Sequence, residues 1–135
     1  MQNGKYSIQI ETGQDLSASR NLILNSAGEI PADETDATCI GSLEANAATT
    51  AAGEAVFVTY SGIATCVAGE TPPLAFDLLM VDGATGRVMT AAGAGSVVIG
   101  QYVPELKNGT IEPPVCVEDE EITCFLFADK GTAIP

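Results

Sequence analysis

The chain has 135 residues, with 18 acidic and 5 basic side chains, a formal charge of −13, and neither histidine nor tryptophan. That length suits one domain able to bury its own core. The basic residues (Lys5, Arg20, Arg87, Lys107 and Lys130) are scattered, which argues against partners such as nucleic acid or an anionic membrane surface, since both need clustered Lys or Arg.

Read from its start, Met1 to Tyr6 lacks the apolar stretch of a signal peptide. No apolar run approaches the ~20 residues of a membrane helix. The chain is therefore expected to be made in a cytosol and to stay soluble.

Tyr6-Ser7-Ile8-Gln9-Ile10-Glu11 alternates apolar and polar residues, the pattern of a strand with one buried face. Tyr6, Ile8 and Ile10 share that face. They fit two readings, a strand paired within its own domain and an arm that docks on a neighbouring chain or its sheet edge. Asn21–Asn25 and Thr38–Leu43 are further candidate strands. Residues 44–53 are rich in alanine and threonine and suit a helix or a surface loop.

Glu54–Tyr60 and Ile63–Val67 are rich in β-branched and aromatic residues. Ser61-Gly62 between them predicts a hairpin. Leu74–Val81 is apolar and short, so periodicity leaves it open between a helical turn and a buried strand. Asp82-Gly83-Ala84-Thr85-Gly86 predicts a tight turn, where glycine supplies positive φ. Arg87–Thr90 and Ser96–Val103 resume as strands. Asn108-Gly109 predicts a type I′ hairpin, and Pro104, Pro113 and Pro114 confine its flanks to an edge or a projecting ribbon. Ile122–Phe127 is the last strand. Short strands at this spacing predict a sandwich or barrel.

Little in the chain suggests chemistry. No histidine is available as a base. Cys39, Cys66, Cys116 and Cys124 form no C-x-x-C pair and read as four buried thiols acting as small hydrophobes. Glu118-Asp119-Glu120-Glu121 has the oxygen ligands a divalent cation prefers, but not the spacing of a calcium loop, and reads as a solvated loop. Asp82–Arg87 lacks the lysine and helix of a phosphate loop. No enzyme activity, metal or cofactor is expected.

Five segments carry a family likeness. They are Gly53–Val58, Gly62–Gly69, Phe76–Val81, Thr85–Val88 and Val97–Tyr102. Together they resemble the tailed-phage capsid decoration proteins, also called head-stabilising or cement proteins. In that family a strand pair with a central glycine precedes a G-D-L-V-like segment, a G-r-v turn and an i-i-G strand. The likeness spans roughly a third to a half of the chain. Phe76 stands where the family pattern has glycine, and the ribbon at Asn108-Gly109 has no counterpart.

The resemblance implies a compact β-barrel or β-tulip-like domain on the outside of an icosahedral head. It implies homotrimers at three-fold or quasi-three-fold positions, with an N-terminal arm gripping the major capsid protein. It brings no catalytic residues.

The expectation is an all-β barrel, β-tulip-like or sandwich domain over residues 16–135, with an arm or first strand at 1–15 and a projecting hairpin. Tyr6, Ile8, Ile10, Asn108 and Gly109 are the candidate contacts to the capsid or to neighbouring subunits. The alternatives are another virion module (tail tube, neck or fibre) and a carbohydrate-binding β-module. The second is weakened by the absence of tryptophan and by only three tyrosines.

Overall fold

A computed structural model describes residues 5–16, 20–44, 51–104, 106–107, 110–111 and 116–135. Among the described residues ten strands are present: β1 (Tyr6–Glu11), β2 (Ile23–Asn25), β3 (Cys39–Leu43), β4 (Ala55–Val67), β5 (Leu78–Val81), β6 (Val88–Thr90), β7 (Gly100–Tyr102), β8 (Leu106–Lys107), β9 (Thr110–Ile111) and β10 (Glu121–Leu126). Among the described residues the helical content is one 3-10 turn, Gly83–Thr85. The fold is all-β.

The main sheet runs β2-β3-β4-β10-β7-β5-β6, and β1 joins it on β4. A parallel bridge from Ala68 to Val88 links the end of β4 to β6. The Gly69 amide reinforces it by donating to the Val88 carbonyl at 2.8 Å. The result is a nearly closed antiparallel barrel, which leaves few unpaired sheet edges.

β4 is the spine. Its first half pairs with β1 and β3, and its second half pairs with β10 from Gly62 to Val67. The expected hairpin at Ser61-Gly62 is not formed, because Ala55–Val67 is one 13-residue strand. Gly62, at φ 93°, bends the strand instead of reversing it. Each half has a better partner than the other half: separate strands flank both, so the turn signal is used as a bend.

Two clusters fill the interior. The larger includes Cys66, Val88, Ile99, Tyr102, Cys124 and Leu126 inside the barrel. The smaller is Leu16, Leu24, Leu43, Val56 and Val58, with Ile10, Ile30 and Ile40 packed on it. Leu24, Leu43, Leu79 and Leu126 are fully buried, and each such side chain contributes roughly 1.5–3 kcal/mol of apolar burial.

The Asp82–Gly86 turn forms as expected and joins β5 to β6. Leu74–Val81 splits into a turn ending at Phe76, φ 68°, followed by strand β5. The strand expected over Ser96–Val103 is reduced to Gly100–Tyr102. Ser96–Val98 instead runs beside the C-terminal segment: Val97 bridges Ala133, and the Ile134 amide donates to the Ser96 carbonyl at 2.8 Å.

Candidate interaction surfaces

β1 pairs with β4 along its length, Ile8 opposite Val58 and Ile10 opposite Val56. Of the two readings of the first strand, pairing within its own chain is therefore formed. Its three apolar residues are treated unequally. Ile10 is half-buried and packs on the smaller cluster. Ile8 is 37% exposed and Tyr6 58%. No strand of the described residues pairs with the other edge of β1.

Polar groups brace this end of the sheet. Lys5 Nζ lies 3.7 Å from Glu44 Oε1. Ser7 and Thr59 both donate hydroxyl hydrogen bonds to the Glu44 carboxylate. Asn21 holds the left-handed conformation, φ 62°, and donates to Glu121 Oε2 at 2.9 Å. A shallow polar cavity of about 280 Å³ lies among Lys5, Asn21, Ser42, Glu44 and Thr59.

Asn108 and Gly109 lie outside the described residues. Their flanks pair as a two-stranded ribbon separate from the main sheet, Leu106 with Ile111 and Lys107 with Thr110.

The acidic run is not simply solvated. Arg87 Nη1 donates to Glu118 Oε2 at 3.1 Å and to Asp119 Oδ1 at 2.8 Å, and Asp82 lies 3.6 Å from Nη2. The Asp119 hydrogen bond heads the causes that raise the Arg87 pKa. Glu120 accepts from the Val117 amide at 2.9 Å. The run is a pinned turn, with Asp119 at φ 66°. Sequence reading missed the partner because Arg87 is far away along the chain.

The four cysteines are all buried and free. Burial pushes the Cys39 thiol up to about 12. A hydrogen bond with Cys66, and then burial, raise Cys124. Burial also raises Cys116, whose thiol donates to the Pro73 carbonyl at 3.2 Å. Thiols held protonated are the unreactive form.

Lys130 is also buried, at 4% exposure. It lines a cavity of about 340 Å³ with Cys39, Thr38 and Tyr60. Burial lowers its pKa to about 8. Among the described residues, no group of three or more His, Cys, Asp or Glu side chains is arranged to hold a metal ion.

Large apolar side chains are exposed, including Ile63, Leu74, Phe76, Leu78 and Phe125. Contiguous exposed apolar side chains mark surfaces for contact with another molecule.

No protein-family model matches the chain, and no curated protein matches it. Among solved structures, the head fiber gp8.5 N base of bacteriophage phi29 is similar, with a TM-score of 0.53. The likeness covers 93% of this chain and 97% of that one, at 16% identity. At that identity it is a likeness of fold.

Proposed function

We propose that this chain is a structural protein of a tailed-phage head that binds the outside of the shell as a decoration or cement protein. The observation that carries the reading is the likeness to a phage head fiber base over nearly the whole of both chains. The family pattern in residues 53–102 points the same way independently. The physical task suits the molecule. Packaged DNA presses the shell outward, and many modest contacts repeated over many copies hold seams closed by avidity. A compact barrel with buried thiols and scattered basic residues is suited to contact, and we propose no catalytic role.

On the particle the reading places homotrimers at three-fold positions, in contact with the major capsid protein. Tyr6 and Ile8 are the first-strand side chains exposed enough to take part, whereas Ile10 serves its own core. A second reading, the base of a head fiber, is favoured by what the similar structure is.

One experiment tests both. Virions of a phage encoding this chain are compared with virions from which its gene is deleted, by cryo-electron microscopy and by DNA release on heating. A cement predicts lost surface density at three-fold positions and release at lower temperature. A fiber base predicts lost projections and unchanged release. Density unchanged on the head overturns both readings.

A further inference from the structure

Strand register places four side chains in one row across the outside of the barrel. Ile63 of β4 stands opposite Phe125 of β10, Phe125 opposite Gln101 of β7, and Gln101 opposite Leu78 of β5. Their neighbours along each strand point inward: Ala64, Cys124, Leu126, Gly100 and Leu79 are buried. The row therefore faces out, with Ile63 43%, Phe125 41% and Leu78 48% exposed. Three strand spacings make it about 14 Å wide.

The row is tied to the turn before β5. Gln101 Nε2 donates to the Phe76 carbonyl at 2.9 Å. The Phe76 amide donates to the Tyr102 carbonyl, also at 2.9 Å. Asp77 accepts from the Leu74 amide and from the Thr90 hydroxyl. Phe76 itself is a non-glycine residue at φ 68° with half its surface in solvent. A bulky side chain is kept in that unfavourable region only where its surroundings over-determine it, a condition that recurs at functional sites.

Charge is graded along the same face. On the outer side of β10 the order is Glu121, Thr123, Phe125. Thr123 stands opposite Thr65, and Glu121 opposite Val67. The acidic end continues into Glu118, Asp119 and Glu120, four carboxylates against the single guanidinium of Arg87. Glu121 and Phe125 are about 13 Å apart along the strand.

We infer that this face is the docking surface for a head-shell protein whose contact patch is apolar at its centre and basic on one side, about 13 Å away. The inference rests on the head-protein reading and specifies the surface used. Complementary charge selects that occupant. A second copy would bring its own acidic end, in a chain of formal charge −13.

The test uses heads purified from a phage lacking the gene, with the full chain added back and binding measured by co-sedimentation over a range of salt. The double variant Phe125→Ser/Leu78→Ser is expected to bind at least tenfold more weakly, with an unchanged circular dichroism spectrum. Glu121→Gln is expected to reduce the salt dependence of binding. If the double variant does not fold, Leu78→Asn alone, at an exposed strand position, replaces it. Folded variants that bind within twofold of the parent overturn the docking surface and leave the head reading standing. A parent chain that binds no heads at any salt overturns both. Self-association of the parent that the double variant abolishes makes the occupant a second copy and overturns the inference.

Discussion

Lys130 Nζ lies 4.1 Å from the centroid of the Tyr60 ring and donates to the carbonyl of the same residue. Among the described residues no carboxylate pairs with it, although the chain has 18 acids. The ammonium is thus held by a ring face and a carbonyl, groups that offset only part of its lost hydration.

That arrangement fixes the sign of an alkaline effect. Burial lowers Lys130 to about 8, from 10.5 in the unfolded chain. Between those values the unfolded state binds the extra proton, so this group adds stability as pH rises. Cys39 opposes it: burial raises that thiol from 9.0 to about 12, so its contribution is present below pH 9 and is lost above it. Tyr102, raised from 10.0 to about 12, acts like Cys39. Lys130→Met is expected to lose the rising contribution. Its melting temperature should fall more steeply than the parent's between about pH 8.5 and 10.5. Parallel slopes in calorimetry would show that Lys130 is not buried as described.

Thiol titration checks the core. In denaturant all four cysteines should react, whereas in the folded protein none should do so within minutes. Cys66 and Cys124 are fully buried, and Cys39 and Cys116 are 7% and 6% exposed. Recovery of only two thiols from a preparation made without oxidant would show that a disulfide belongs to the fold.

Gly41 is a close-approach glycine. A Cβ there would lie 2.0 Å from the Thr59 carbonyl oxygen on β4, and backbone cannot yield as a flexible side chain can. Gly41→Ala should therefore separate β3 from β4 and cost about 3 kcal/mol or more in urea unfolding. Gly131→Ala is the control. Its nearest neighbour would be a side-chain oxygen at 3.8 Å, and a change within about 0.5 kcal/mol is expected.

On β1, Ile10→Ala should destabilise the domain by about 1–2 kcal/mol, a part of the full core penalty because Ile10 is half-buried. Tyr6→Ala, at an exposed position, should leave stability within about 0.5 kcal/mol. Deleting residues 2–10 is expected to lower the melting temperature, because it removes most of a strand paired with β4. A truncated chain that melts like the parent would show that β1 is dispensable to the core.

The strand content was legible wherever alternation met a clear turn. Tyr6–Glu11, Cys39–Leu43 and the last strand lie within a residue or so of their expected places, and the Asp82–Gly86 turn forms. The misreadings have one cause, partners distant in sequence. Ser61-Gly62 carries a local turn signal, but β1, β3 and β10 flank β4 and keep it one continuous, bent strand through that point. Ser96–Val98 has strand residues but lies beside the C-terminal segment as an isolated bridge. The surface was less legible still. Ile10 cannot be told from Tyr6 by alternation, since only the packed sheet decides which end of a strand is covered. The row through Ile63, Phe125 and Leu78 joins three strands far apart along the chain, so no window of sequence contains it.

The use of β4 as a shared spine also sets an order of events during synthesis. β1 and β3 can find β4 as soon as it emerges, but its second half must wait for β10, the last strand among the described residues. Until then Ala64 and Cys66 have no cover from Ile122 and Cys124, and the interior stands open to solvent. Closing so long a loop is slow relative to local pairing. A nascent chain that has made β4 but not yet β10 carries an unpaired, apolar strand edge, the kind of edge that aggregates or recruits chaperones. A premature stop ahead of β10 would leave the chain in that state, with β1 and β3 in place and no barrel.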